Sequence, residues 1–522
     1  MVEPYLKNAK GLVKDIDECK ALARTLKQSR TPEWPCTPSE ALPDETLCRS
    51  LVDCYLRTSE TVYRVLHVPA FLTEFEQLWT PGAKSSPVFR ILLKLVLAIG
   101  SSQYDQHFSM RASAIRWVYE AQLWLSEPGS KVKLNAVGLQ IQLLHLLARE
   151  AADVDSESIW TSVGTVLRNA MALGYHHDPP PNSRSTLVVE GQRRLWNTLL
   201  EIAVQSSLSS GQPPLMSMAQ FTTKPPQNYN DEDLGGPTAT PEPRPDTEFT
   251  GTTVAILLRK TLPLRLHVVN SLNDGDGNGH IDYDNVLRVD SMLREEFRCV
   301  RRQFLGAMNL TGRPGTAAEY AYSRRVVSES CIKIWRAAAA PPPLATQPAG
   351  QPSTGQEDIR RAVTCGFGFC RMATWQSLLL LLVELKAQAR EMEDSLLPQV
   401  VPSDLAQVLQ DANPWCLECI RAGQTNVKGY IVISAIGAHI AGLQQGLRPG
   451  EELISKVIQA VNKACGEYLD AVQPLVPADG VQDEHWANGV ALDDNMLDMN
   501  WNLFLVDFLG EEVGGLGWVL ND

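Results

Sequence analysis

The amino-acid sequence predicts an all-α protein built as a large irregular helical array, and three observations carry that expectation. Apolar residues recur at helical spacing along almost the whole chain. Strand-like alternation is nearly absent, and no glycine-rich dinucleotide fingerprint follows a strand. With 522 residues and 44% apolar content there is ample material for a core, and length alone suggests two to four domains.

Taken in order, Leu12, Ile16, Cys19, Ala23 and Leu26 form an a/d seam about two heptads long, which Thr31-Pro-Glu-Trp-Pro-Cys-Thr-Pro38 stops. Two heptads are marginal alone, so the seam reads first as an amphipathic helix on a core and second as a dimerising coil. His67 precedes Pro69, whose ring fixes a turn into a helix carrying Phe71, Phe75 and Leu78. Glu157 to Leu173 is the clearest helix: Trp160, Val163, Leu167, Ala170 and Leu173 make one stripe, Asp155 or Ser156 is placed to cap it, and Gly174 to end it. Glu190 to Ser209 presents Leu195, Leu199, Ile202 and Leu208 to a core, with Arg193, Arg194 and Trp196 near its start. Ala337 to Gly355 reads as an Ala/Pro/Gln linker. Beyond it, Arg361 to Glu393, Tyr430 to Leu443 and Leu453 to Val472 read as further helices.

Charge is placed unevenly. Of a formal charge of −13, the stretch after Lys463 supplies twelve acids and no base, so residues 1–463 are close to neutral. Such a body is a poor candidate for gripping a polyanion, because Lys and Arg neutralising phosphates supply most non-specific DNA affinity. No apolar run reaches eighteen residues without a charge, so a soluble chain is expected. The eleven cysteines are scattered, and Cys416-Leu-Glu-Cys419 is the lone Cys-x-x-Cys pair, with no second pair to complete a zinc tetrahedron. A reducing compartment without disulfides is expected.

Motifs for chemistry are sparse. His176-His-Asp178 offers metal-ligand types, but adjacent residues past a helix end rarely converge on one ion. The stretch from Asp274 to Asn285 matches a calcium-binding loop at Asp274, Asp276, Asn278, Gly279 and Asp282, yet has Asn285 where the bidentate Glu belongs. An acidic, glycine-rich connection is therefore the leading reading, with Pro263 counting against a helix before it. Ser330-Cys-Ile-Lys333 lacks the companion motifs of serine acyltransferases. Neither an enzyme nor a cofactor is expected. The tail sets Trp501, Phe504 and Phe508 among acids, a pattern of activation segments, but the aromatic density makes a last helix docked on the body the leading reading.

His67-Val-Pro-Ala-Phe71, Ala170-Met-Ala-Leu-Gly-Tyr-His-His-Asp178, Gln192-Arg-Arg-Leu-Trp196 and Gly211-Gln-Pro-Pro-Leu215, in that order and spacing, resemble the fungal-specific transcription factor domain of zinc-cluster activators. The resemblance runs from about Leu51 to about Asp290. It implies a helical regulatory region in which His67, Pro69, Phe71, Gly174, Arg193, Arg194, Trp196, Gly211 and Pro213 are structural signature positions. The six-cysteine zinc cluster of such activators is not in this sequence. Family Gly-Arg-Pro is here Gly211-Gln-Pro213, and the acidic–Arg pair of the preceding helix is replaced by Glu201-Ile-Ala203, so a buried polar contact is expected to have lost both sides.

The resulting expectation is an N-terminal helix and Pro-rich linker (1–45), a transcription-factor-like helical domain (46–336), a linker (337–358), a C-terminal helical region (359–477) and an acidic-aromatic tail (478–522). By resemblance, function would be transcriptional regulation of a metabolic or secondary-metabolite gene set in the nucleus. DNA would be reached only indirectly, through a homodimer or heterodimer with a zinc-cluster protein and through co-activators, with no membrane partner and an unidentified effector. The alternative is a helical small-molecule-binding protein or enzyme with a pocket inside the array.

Overall fold

A computed structural model of the chain describes residues 3–476 apart from 81, 83–84, 129–132, 181–182, 236–240, 246, 274–286, 290, 294, 296–318, 340–354, 394–402 and 448–449. The fold is all-α, and among the described residues there is no strand. The chain divides into two compact units, one drawn from 1–33, 105–112 and 316–522, the other from 34–104 and 113–315.

In the first unit, helix Glu3–Arg30 packs on helix Glu451–Val472. Leu12, Ile16, Cys19, Ala23 and Leu26 all lie in the unit's hydrophobic core. The heptad seam is thus occupied by the chain's own helices, which leaves it no free face for a second coil. Trp335, Trp375 and Trp415 meet at centroid distances of 5.3 and 5.5 Å. Helix Val427–Gln444 is long and apolar enough to cross a membrane, but 72% of it is buried, and Tyr430, Val432, Ile436 and Ile440 are core residues.

The single helix expected over Arg361 to Glu393 is instead two, Gly355–Cys365 and Phe369–Glu393, bent by 86°. Gly366-Phe367-Gly368 occupies the corner, where two glycines make helix continuation costly. The last carbonyls of the first helix, buried at the corner, find guanidinium donors: Arg371 Nη1 lies 3.1 Å from the Val363 carbonyl and 3.0 Å from that of Thr364, and Arg111 Nη2 lies 2.7 Å from that of Cys365. Just beyond helix Ser403–Arg421 the same device recurs, with Arg111 Nε on the Ala422 carbonyl at 3.2 Å and Arg30 Nη1 on that of Gly423 at 2.6 Å. Cations at these ends also oppose the negative pole of each helix.

In the second unit, helix Pro87–Ser101 packs on Glu45–Arg57 and Ala136–Ala152. Helix Thr186–Ser210 packs on Ile159–Ala172 and Thr253–Asn273. A Cβ at position 100 would stand 2.0 Å from the Leu51 carbonyl oxygen, so Gly100 sets how closely two of these helices approach. Midway along the apolar helix Pro87–Ser101, Lys94 is buried, with Nζ 2.5 Å from Glu120 Oε2 and 2.6 Å from the Ser39 carbonyl.

Two local expectations need correction. Helix Ile159–Ala172 follows a single 3-10 turn, Ser156–Ser158, and neither Asp155 nor Ser156 caps it. Asp155 is held at φ 47° and accepts from Arg149 Nη2 at 2.7 Å. Helix Thr253–Asn273 continues through Pro263, because buried Leu262, Leu264 and Leu266 anchor the chain on both sides of the missing N–H.

Candidate functional site

The four sequence motifs lie in the second unit, and two of them meet an aspartate that none of them contains. Helix Val68–Gln77 starts after His67 with Pro69 in its first turn. Phe71 is buried against Phe75 and Phe89, 6.3 and 5.7 Å away. Short helix Asp231–Leu234 starts with a reciprocal capping box between Asn230 and Asp233, which fixes Asp231 in its first turn. Asp231 Oδ1 accepts from Arg194 Nη1 at 2.6 Å and also from Arg64 Nη2. Its Oδ2 accepts the Val68 amide at 2.8 Å, and its carbonyl lies 3.2 Å from His67 Nε2.

Glu60 extends this centre, 3.9 Å from Arg64. Its carboxylate accepts from the Tyr55 hydroxyl at 2.6 Å and the Leu66 amide at 3.1 Å. All the charged members are buried, from 1% exposure at Glu60 to 7% at Arg64. Burial alone would push the Asp231 carboxyl up, but Arg194, Arg64 and the Val68 amide outweigh it and hold it below the ordinary carboxylate range. At Glu60 burial wins over Arg64 and the two hydrogen bonds, and its carboxyl is pushed up to about 7.

A second ionic knot lies along helix Thr186–Ser210. Arg193 forks onto Asp178 through Nε and Nη2, both at 2.8 Å, and its Nη1 reaches Glu190 at 2.8 Å. Glu190 also accepts the Gln227 amide at 2.9 Å. Desolvation raises the Asp178 carboxyl, and the Arg193 bond and the Lys224 amide more than reverse that, leaving it below its usual value. Asp178 is therefore engaged by a guanidinium, while the His176 and His177 ring centroids lie 3.8 Å apart with the rings tilted by 41°. Among the described residues no group of three or more His, Cys, Asp or Glu is disposed to hold a metal.

Gly174, at φ 80°, closes helix Ile159–Ala172 by donating its amide to the Met171 carbonyl. Gly211, at φ 64°, ends helix Thr186–Ser210. The Pro213 carbonyl accepts from Trp160 Nε1 and Ser207 Oγ, each at 3.2 Å. Glu201 departs from expectation. Its contact is not missing both sides: the carboxylate is buried and paired with Arg265 of helix Thr253–Asn273 through two 2.7 Å bonds. That partner lies 64 residues downstream, outside the two motifs considered. Asp231 was missed for a similar reason, and its local signal was the Asn230-x-x-Asp233 capping pattern. The calcium-loop positions Asp274, Asp276, Asn278 and Asp282, and the tail residues Trp501, Phe504 and Phe508, lie outside the described residues.

Chemically, this centre is an ion-paired lock. Its carboxylates are engaged by guanidinium and amide groups, and it draws together segments around positions 55–68, 178–194 and 227–231. Those positions fall inside residues 52–244, which match the fungal specific transcription factor domain. The chain is 36% identical over 307 residues to transcription factor opdR of Penicillium oxalicum, covering 57% of this chain and 38% of that one. Against transcription factor lepE of Aspergillus flavus identity is 35% over 284 residues, covering 53% and 34%. The aspyridones cluster regulator apdR of Emericella nidulans is 35% identical over 227 residues, covering 42% and 30%. The chain thus spans little more than a third of the length of the curated relatives it matches best among these. No solved structure matches it.

Proposed function

We propose that the chain is the helical regulatory region of a fungal transcription regulator controlling a secondary-metabolite or other metabolic gene set, acting in the nucleus through protein contacts rather than by turning over a substrate. The observation that carries this reading is the similarity to transcription factors and to a named biosynthetic-cluster regulator, together with the domain match over residues 52–244, which include the Asp231 centre. The buried charges support it, because they are arranged to hold helices together and none is poised as an activated nucleophile. DNA is read by a zinc-cluster module elsewhere, on the same polypeptide or on a dimer partner. The acidic-aromatic segment after Ala478 supplies the co-activator contact, its aromatic side chains being the kind that a hydrophobic groove accepts.

The test is to fuse the full chain to a heterologous DNA-binding module and measure a reporter driven by that module's site, with and without residues 478–522. Reporter output that changes with the fusion, and changes again on tail removal, is expected. Unchanged output in both fusions, with the tagged chain excluded from nuclei, would overturn the proposal.

A further inference from the structure

Buried guanidinium groups in the second unit usually face carboxylates: Arg64 and Arg194 face Asp231, Arg193 faces Asp178 and Glu190, and Arg265 faces Glu201. Arg259 does not. Its Nη2 donates to the Thr223 carbonyl at 3.1 Å and its guanidinium carbon lies 4.5 Å from the centroid of the Phe221 ring, but Nη1 is buried without a hydrogen-bond partner. No acid among the described residues pairs with it, and burial alone pulls its pKa down to about 10. A desolvated cation with an unmet donor is a standing cost to the fold.

Two further unmet nitrogens lie in the same neighbourhood. The Trp196 ring, 1% exposed, is 5.8 Å from Phe221, and its Nε1 is buried with no acceptor. The His176 ring lies 6.3 Å from Trp196, and its Nδ1 is likewise buried and unpartnered. An indole N–H can only donate, so both it and Arg259 call for an acceptor. We propose that Arg259, Phe221, Trp196 and His176 flank a site for a small organic carboxylate.

The chemistry favours one negative charge on a planar group. A carboxylate matches the flat guanidinium edge, and a single anion balances the single cation. Lys224, the nearby amine, already faces Asp178 at 3.8 Å, so a phosphate dianion would be only half neutralised. An apolar or aromatic body on the ligand suits the surroundings of Phe221 and Trp196. Arg259 Nη1 has no solvent access here, so binding requires Phe221 to move. The chain from Phe221 to Asn230 is free of helix, so that displacement need not unwind one. Such a site would make the regulator described above responsive to a metabolite, but binding itself needs neither DNA nor a partner. Its failure would leave the regulatory reading standing.

The experiment is thermal unfolding of the purified full chain titrated with benzoate, its neutral analogue benzamide, and inorganic phosphate, for wild type and for Arg259→Met. Benzoate should raise the melting temperature saturably, benzamide and phosphate should not, and Arg259→Met should weaken the benzoate response at least about tenfold. Without ligand, Arg259→Met should melt at or above wild type, since an unpaired buried charge has been removed. Should that variant fail to fold, Arg259→Lys must still bind benzoate several-fold more weakly, because the planar fork is gone. The proposal is overturned by a wild type indifferent to benzoate, by equal responses to benzamide or phosphate, by an undiminished response in the variants, or by an ordered water at Nη1 in a crystal soaked with benzoate.

Discussion

The two units differ in what their best-buried arginines meet, although each also uses the other's solution, as at Arg360–Glu418 in the first and at Arg149 on the Asp155 carbonyl in the second. Both bury arginine, and a buried guanidinium needs acceptors for its rigid fork of donors. In the second unit the acceptors are carboxylates, chiefly Asp231, Asp178 and Glu201. In the first unit Arg30, Arg111 and Arg371 donate to main-chain carbonyls at the ends of helices, those of Gly423, Ala422, Cys365, Val363 and Thr364. A carboxylate pair depends on ionisation and on exact partnership; a carbonyl cap depends on neither. The difference teaches that the second unit's integrity is tied to pH and to single acidic residues, while the first unit's is tied to where its helices stop.

The largest expected effect is at Asp231. Asp231→Ala leaves Arg194 buried without its counter-charge and Arg64 with Glu60 alone, 3.9 Å away, and should cost about 3–5 kcal/mol, read from urea unfolding; a loss under 1 kcal/mol would show that the lock is not structural. Arg111→Met should cost less, about 1–3 kcal/mol, because it strands neutral carbonyls and no charge. Equal costs for the two variants would erase the distinction between the units.

Acid should separate them further. Asp231 and Asp178 have carboxyls held below the ordinary value of 3.8, so their contribution is present above that value and is lost as pH falls through their folded-state values. Hydrogen exchange should accelerate first in helix Thr186–Ser210 on acidification; faster opening around Gly366 and Gly423 would contradict the comparison. Glu60 has the opposite sign. Its carboxyl is raised from 4.5 to about 7, so its contribution is full below 4.5 and is lost as pH rises through 7. Glu60→Gln should therefore flatten the stability profile between these two values, and an unchanged slope would mean that Glu60 is paired more strongly than its burial suggests. The smallest effect is expected at Arg49, whose ion pairs with Glu45 and Glu76 are exposed. Arg49→Ala should leave the urea midpoint unmoved within experimental scatter.

Much of the fold was legible because helix formation leaves a short-range periodic mark. The stripe from Trp160 to Leu173, and the Leu12 to Leu26 seam, announce both a helix and its buried face. What escaped was decided by residues far apart. The bend at Gly366 and Gly368 is a local break that strong apolar periodicity on both sides concealed, and Pro263 is tolerated because leucines on either side outweigh one absent N–H. The motifs supplied Arg194 and His67 but not the acid where they meet, since Asp231 is 37 residues from the first and 164 from the second. Pairing across such distances has no period to read. The Arg259 neighbourhood was invisible for the same reason, its members coming from four separate stretches of chain.

The span between Arg64 and Asp231 also sets a schedule. These two residues are separated by 167 positions, so at ordinary elongation rates Arg64 is added to the chain roughly 8–33 s before its aspartate exists. During that interval helices Glu45–Arg57 and Pro87–Ser101 can pair, but the arginine between them has only Glu60, 3.9 Å away in the finished fold, to accompany it inward. Completion of the domain therefore waits on a four-residue helix near its end, and nascent chains halted short of residue 231 should be the forms that chaperones hold.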